Sequence, residues 1–99
     1  GLLKVCADRK VSAYIVDDHN VITMINTDAY INKIDGFEYI SFIPYGGAVK
    51  DVTLEGFEYT VEHYQFEIGD SRGISNKLIS ENAHISMAEG YMIVNYSKD

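Results

Sequence analysis

The sequence predicts an all-β fold, an antiparallel β-sandwich of jelly-roll type with a short N-terminal helical stub. Three observations carry that reading. From Val11 onward the chain is built of short β-branched and aromatic runs. These runs are separated at regular intervals by turn residues, giving about eight short strands. Only the first residues, Leu2 to Arg9, lack this pattern: apolar positions 2, 3 and 5 to 7 followed by Asp8-Arg9-Lys10 fit the last turns of a helix.

In order, Val11–Val16 and Val21–Ile25 flank Asp17-Asp18-His19-Asn20, whose Asp and Asn residues tolerate turn geometry, so a hairpin is expected. Ala29–Ile34 and Glu38–Pro44 bracket the turn pair Asp35-Gly36, and Pro44 is expected to end its strand. Tyr45-Gly46-Gly47 reads as a flexible turn leading into Val49–Leu54. Thr60–Ile68 alternates, with Tyr64, Phe66 and Ile68 on the core side. Ala83–Ala88 and Tyr91–Tyr96 surround Glu89-Gly90 and read as a closing hairpin. The expected organisation is residues 1–10 as the end of a helix from a missing N-terminal domain and residues 11–99 as one β-sandwich domain.

Composition narrows the function classes. At 99 residues the chain holds a single core, too small for a nucleotide-binding domain plus a substrate domain. It is 46% hydrophobic and 23% charged, with no apolar run approaching the roughly 20 residues of a membrane helix. A net charge of -7, without a Lys/Arg cluster, repels phosphate backbones, so neither nucleic acid nor membrane is an expected partner. The one cysteine, Cys6, has no second thiol for a disulfide or a zinc site, which suits a reducing cytoplasm.

Catalytic constellations are missing from the pattern. His19, His63 and His84 fall on separate elements without ligand spacing, and Asp17-Asp18 reads as a solvated turn. The run Gly69-Asp70-Ser71-Arg72-Gly73 lacks the Gly-Lys-Ser/Thr ending of a phosphate cradle. No Gly-x-Ser-x-Gly elbow occurs and Cys6 has no nearby His, so no nucleophile is anchored. The expectation is no catalytic residue and no metal or cofactor site in this chain.

What stands out is Gly56-Phe57-Glu58-Tyr59-Thr60-Val61 followed by Gly69-Asp70-Ser71-Arg72-Gly73-Ile74-Ser75-Asn76, which looks like a ligand-reading loop pair. With the Asp17 hairpin, the run from Tyr39 to Pro44, the run from Val52 to Tyr59 and the terminal Glu89–Val94, this order resembles the C-terminal domain of the thiamine pyrophosphokinase family. There an aromatic residue follows a Gly-x-x stretch and a Ser-Asn pair follows one strand and a Gly-rich turn; Tyr59 and Ser75-Asn76 fall at those places. In the family the aromatic is often Trp or precedes Pro, whereas Thr60 follows here, and Lys77 stands where relatives have an acidic or small residue.

The resemblance implies a thiamin-binding and dimerisation domain of an enzyme that transfers pyrophosphate from ATP to thiamin, giving thiamin diphosphate and AMP. The implied site residues are Tyr59, Gly73, Ser75 and Asn76. Tyr59 would offer a flat face, Ser75 and Asn76 donors and acceptors, and Gly73 close approach of the ring to the backbone. Asp70 or Glu58 would offset the positive thiazolium. Magnesium and ATP would belong to the missing N-terminal catalytic domain, so this chain alone would be inactive, with thiamin lying between domains of different subunits. The competing reading is a β-sandwich interaction module, since eight Tyr in a short β chain can make an adhesive surface.

Overall fold

The computed structural model describes residues 1–98. Its elements run α1 (Leu2–Asp8), β1 (Ile15–Val16), β2 (Asn20–Ile25), β3 (Ala29–Tyr30), β4 (Tyr39–Glu55), β5 (Tyr64–Phe66), β6 (His84–Ser86) and β7 (Glu89–Ser97). Every strand pairing is antiparallel, in keeping with the all-β class, and the helical stub is present. Seven strands join in the order β1-β2-β7-β4-β6-β3, with β5 on β4. The layers expected of a sandwich are therefore parts of one curled sheet that share β4. One core fills the curl: Phe42, Phe57, Phe66, Ile85, Met92 and Val94 are each at most 1% exposed.

The first hairpin forms at the expected turn, with Ile15 opposite Ile22 and Val16 opposite Val21, but its first strand is only Ile15–Val16 where Val11–Val16 was expected. Its tip is closed by the Asp17 carboxylate, which accepts the His19 and Asn20 N–H groups at 2.8 Å each. These bonds, His19 first, hold the Asp17 carboxyl below the usual carboxylate range. Asp35-Gly36 also turns the chain, Phe37 N–H donating to the Ile34 carbonyl at 3.0 Å with Gly36 at φ 87°. The partner differs from expectation, because β3 lies against β6 and not against the strand that follows the turn.

Neither Pro44 nor Tyr45-Gly46-Gly47 interrupts β4, which continues for 17 residues. Tyr39 through Tyr45 pair with β7, and the next β7 pairing is Lys50 with Glu89. Residues 46–49 thus stand opposite Gly90 alone, a wide bulge in place of a turn. Gly90 is required there: it sits at φ 115°, and a Cβ would come within 2.8 Å of the Ala48 carbonyl oxygen. The expected closing hairpin is consequently absent. β6 and β7 do not pair with each other; both run along β4, with Leu54 opposite Ile85 and Phe42 opposite Val94. A glycine with positive φ serves a bulge as readily as a hairpin tip, so Glu89-Gly90 carried no information about which it was.

The expected Thr60–Ile68 strand shrinks to β5. Phe66 is fully buried and Tyr64 half-buried, but Ile68 is 63% exposed, because the chain turns there and Asp70 N–H donates to the Glu67 carbonyl at 3.0 Å. At the other end of the strand, β4 and β5 pair with a register shift between Val49 and Val52. Asp51 beside it and His63 both adopt positive φ, 57° and 49°. Their side chains meet, His63 Nδ1 lying 2.6 Å from Asp51 Oδ1. The hydrogen bond to Asp51, then its charge, raises the His63 pKa above the ordinary imidazole value.

A raised folded-state pKa means the contribution is complete below the unfolded pKa of about 6.5 and is lost as pH rises through the folded value. The pair is exposed, so the effect is small and screened by salt. The wild type is expected to lose stability more steeply than Asp51→Asn as pH increases above about 6.5. Asn tolerates positive φ, so the backbone is spared. Parallel melting curves of the two proteins across that range would contradict the assignment.

α1 is fastened by Ala7, which is buried, and by a polar cluster at Asp8. Lys4 Nζ lies 3.3 Å from Asp8 Oδ2 and over the Tyr91 ring, and the Tyr91 hydroxyl donates to Asp8. Leu2 and Val5 remain exposed. No helix is long and apolar enough to cross a membrane among the described residues.

Candidate functional site

Two short backbone pairings bring the two halves of the candidate site together. In the first, residues 56–59 lie antiparallel to 76–79. Ile79 N–H donates to the Gly56 carbonyl and Glu58 N–H to the Lys77 carbonyl, each at 2.9 Å, and Phe57 bridges Leu78. Gly56 is needed because it adopts φ 84° and a Cβ would meet Ala83 Cα at 2.8 Å. At Tyr59 the backbone ladder is replaced by a side chain. Tyr59 N–H donates to Asn76 Oδ1 at 2.9 Å, and Asn76 Nδ2 donates to the Tyr59 carbonyl at 2.7 Å. The carboxamide thus acts as a substitute peptide group, and Oδ1 also accepts the Lys77 N–H at 2.9 Å.

In the second pairing, residues 73–76 dock on the N-terminal half of β4. Phe42 N–H donates to the Gly73 carbonyl at 2.9 Å, and Ile40 and Asn76 exchange both backbone bonds at 2.8 Å. Three steps from Gly73 to Asn76 match two from Phe42 to Ile40, so one residue is in excess. Ser75 is found at φ 55°, and its N–H, left without a backbone partner, donates to Ser41 Oγ at 3.0 Å.

This geometry separates the four residues expected from the sequence into two kinds. Tyr59 is 60% exposed and Ser75 is exposed, so both present themselves outward. Asn76 is fully buried and its carboxamide is occupied by backbone groups. Gly73 is buried too, and the close approach that its missing Cβ permits is to the protein itself, since a Cβ would lie 2.6 Å from the Phe42 carbonyl oxygen. Ser41 was not singled out by sequence reasoning. Its signal was a polar residue inside the apolar run from Tyr39 to Pro44.

Charge around the site is also arranged by pairing. Asp70 accepts the Tyr64 hydroxyl and the Arg72 N–H, the latter at 2.9 Å, while the Arg72 guanidinium lies over the Tyr64 ring. The Tyr64 hydroxyl, then the Arg72 N–H, hold the Asp70 carboxyl below the usual range, and the same contact with Asp70 raises the Tyr64 pKa. Asp70 is therefore committed to bracing the 69–73 turn. Glu58 is exposed and takes part in no ion pair among the described residues. The Lys77 amine is drawn toward Glu38 at 3.8 Å and over the Tyr39 ring.

Of the cavities of about 280, 370 and 480 Å³ none is lined by Tyr59 or Ser75, although the third is bounded by Lys77 and Leu78 beside Asn76. The first is bounded by Lys10, Tyr14, Met24, Asn26, Tyr30 and Tyr96, and burial pushes the Tyr96 hydroxyl up to about 12. Tyr59 instead stands on open surface, where a ligand would need covering from its other side. The three histidines stay apart, and no group of three or more His, Cys, Asp or Glu side chains converges on a metal position among the described residues.

Residues 26–92 match the family model described as thiamin pyrophosphokinase, vitamin B1 binding domain. The chain is similar to a thiamine pyrophosphokinase of Bacillus subtilis (strain 168), 35% identical over 86 residues that make up 86% of this chain and 40% of that protein. A crystal structure of thiamine pyrophosphokinase from Bacillus subtilis superposes with a TM-score of 0.92 at 30% identity, covering 99% of this chain and 46% of that one. A thiamin pyrophosphokinase from Geobacillus thermodenitrificans gives 0.85 at 32% identity, covering 99% and 45%. The chain thus spans less than half the length of these relatives. With two thirds of its residues inside the family model and its fold shared end to end with such enzymes, the chain belongs to the thiamin pyrophosphokinase vitamin B1 binding domain family.

Proposed function

We propose that this chain is the C-terminal thiamin-binding domain of a thiamine pyrophosphokinase, which moves pyrophosphate from ATP to the hydroxyl of thiamin and releases AMP. The observation that carries the reading is Tyr59: its ring is exposed while both polar groups of its backbone are held by Asn76, beside the outward-facing Ser75. A flat ring held in place suits the aminopyrimidine, whose face it would stack on, and the electron-rich face also tolerates a cationic thiazolium. Ser75 would supply a hydroxyl donor and acceptor, and the exposed Glu58 a compensating charge.

The described residues do not fit magnesium-ATP, having no convergent acidic cluster. In this reading ATP and magnesium are held by an N-terminal domain outside this chain, and α1 is the end of the connection to it. Pyrophosphoryl transfer depends mainly on positioning and charge neutralisation, so this domain contributes recognition. The open surface around Tyr59 fits a ligand sandwiched against the catalytic domain of a second subunit, in a homodimer. The lone thiol Cys6 accords with a cytoplasmic setting.

A second reading, a protein-interaction module, is favoured by one feature. The edge strand β1 leaves Ile15 and Val16 exposed, and an exposed apolar edge can accept another strand. The two readings separate in one assay on the intact protein with magnesium-ATP. Thiamin-dependent AMP formation is expected; AMP release that is indifferent to thiamin would discard the kinase reading and leave the interaction module.

A further inference from the structure

Among the described residues Ser41 and Asn76 are the buried polar residues whose side chains are engaged in hydrogen bonds, the Tyr96 phenol lining the first cavity and the Asn95 Oδ1 being buried without a partner. The remaining buried residues are apolar apart from Tyr96 and Gly73. A buried polar side chain is tolerated when its hydrogen bonds are satisfied, and a hydrophobic residue of similar size would otherwise serve packing as well. Both of these side chains direct their bonds to the same place. Asn76 holds the N–H and carbonyl of Tyr59, and Ser41 takes the N–H of Ser75. Those are the two outward-facing members of the candidate site.

We propose that Ser41 and Asn76 are positioning residues of the thiamin site, each acting through the backbone of the residue that faces the ligand. This rests on the thiamin reading above. Asn76 has no exposed surface for a ligand to touch. Its orientation is dictated by its partners, because only Oδ1 can accept the two N–H groups and only Nδ2 can donate to the Tyr59 carbonyl. Ser41 fills the vacancy made by the extra residue in the 73–76 segment, which keeps Ser75 in the left-handed conformation that turns its side chain out of the pairing. The fold thereby holds both ligand-facing residues before the ligand arrives, and ordering them on binding costs little.

The test is a pair of double-mutant cycles in the intact protein, read as the KM for thiamin, the KM for ATP and the melting temperature. Asn76→Asp keeps the acceptor but removes the donor to the Tyr59 carbonyl; it is expected to raise the thiamin KM about tenfold and leave the ATP KM unchanged. Placed on Tyr59→Ala, the same change should add nothing, since the ring it positions is gone. Ser41→Ala should raise the thiamin KM about fivefold, Ser41→Thr should restore it, and Ser41→Ala on Ser75→Ala should again add nothing.

If Asn76→Asp fails to fold, the Ser41 cycle carries the test alone. Effects that multiply in the double variants would overturn the proposal, because each residue would then contact thiamin independently. So would an unchanged thiamin KM in Asn76→Asp and Ser41→Ala while Tyr59→Ala raises it, an outcome that leaves the thiamin reading standing. An unchanged thiamin KM in Tyr59→Ala itself would remove Tyr59 from the site and the positioning role of Asn76 with it, whereas AMP release indifferent to thiamin would remove the thiamin reading.

Discussion

Phe42→Ala is expected to lower stability by about 3–5 kcal/mol, the largest single effect of any substitution considered. Phe42 is fully buried in the N-terminal half of β4, paired to Val94 on β7. Its ring meets Phe57 edge-on at 5.2 Å between centroids with planes at 87°. Truncation removes the transfer free energy of the ring and leaves a cavity that surrounding residues cannot fill, being anchored on different strands of the curl. For a domain of this size the loss corresponds to a melting temperature lower by roughly 15–30 °C. The consequence extends to the site, because Gly73 packs against the Phe42 carbonyl and Cβ, and Phe57 leads directly into Tyr59. Thermal unfolding checks it; a shift of only a few degrees would mean that the core does not converge on β4.

Tyr59→Ala is expected to do the reverse. The ring is 60% exposed, so its removal should leave the melting temperature within about 2 °C of wild type, as surface substitutions do. Stacking of a heteroaromatic base on an aromatic side chain contributes about 1–3 kcal/mol, so the thiamin KM should rise roughly 5- to 150-fold. The ATP KM should not move. Tyr59→Phe keeps the face and should stay close to wild type, which distinguishes stacking from a role of the hydroxyl. A Tyr59→Ala protein that melts much earlier yet keeps its thiamin KM would show the ring to be a packing element instead.

Between them these two substitutions separate what holds the domain from what it presents, and the same division explains which features could be read in advance. Turns with their own side-chain chemistry were legible: Asp17 closes the first hairpin through bonds to His19 and Asn20, and Gly36 supplies the positive φ its turn requires. The alternation that buries Phe66 was also legible, but its extension to Ile68 was not, since the chain turns away there through a bond from Asp70 to Glu67. Gly46, Gly47 and Gly90 marked irregular backbone without saying whether two strands end or one long pair bulges. That choice is made by a contact between positions distant in sequence, Gly90 against Ala48.

The site divides in the same way. The family resemblance marked Tyr59, Gly73, Ser75 and Asn76 as a group, and in the structure Asn76 joins the 73–76 segment to the backbone of Tyr59. Their roles differ for reasons that spacing does not encode. A side chain's work depends on which partners reach it, and Asn76 is met on one side by Ile40 of β4 and on the other by the backbone of Tyr59.

By itself the sequence determined the antiparallel all-β class, the helical stub, the two local turns and the family, because each of these rests on short-range periodicity, turn chemistry or the order of segments. Tertiary structure alone decided that β4 runs unbroken, that β6 and β7 share it as partner, and that Ser41 and Asn76 face inward while Tyr59 and Ser75 face outward. Those outcomes depend on strand register and on burial, which are properties of the packed chain and of no single segment.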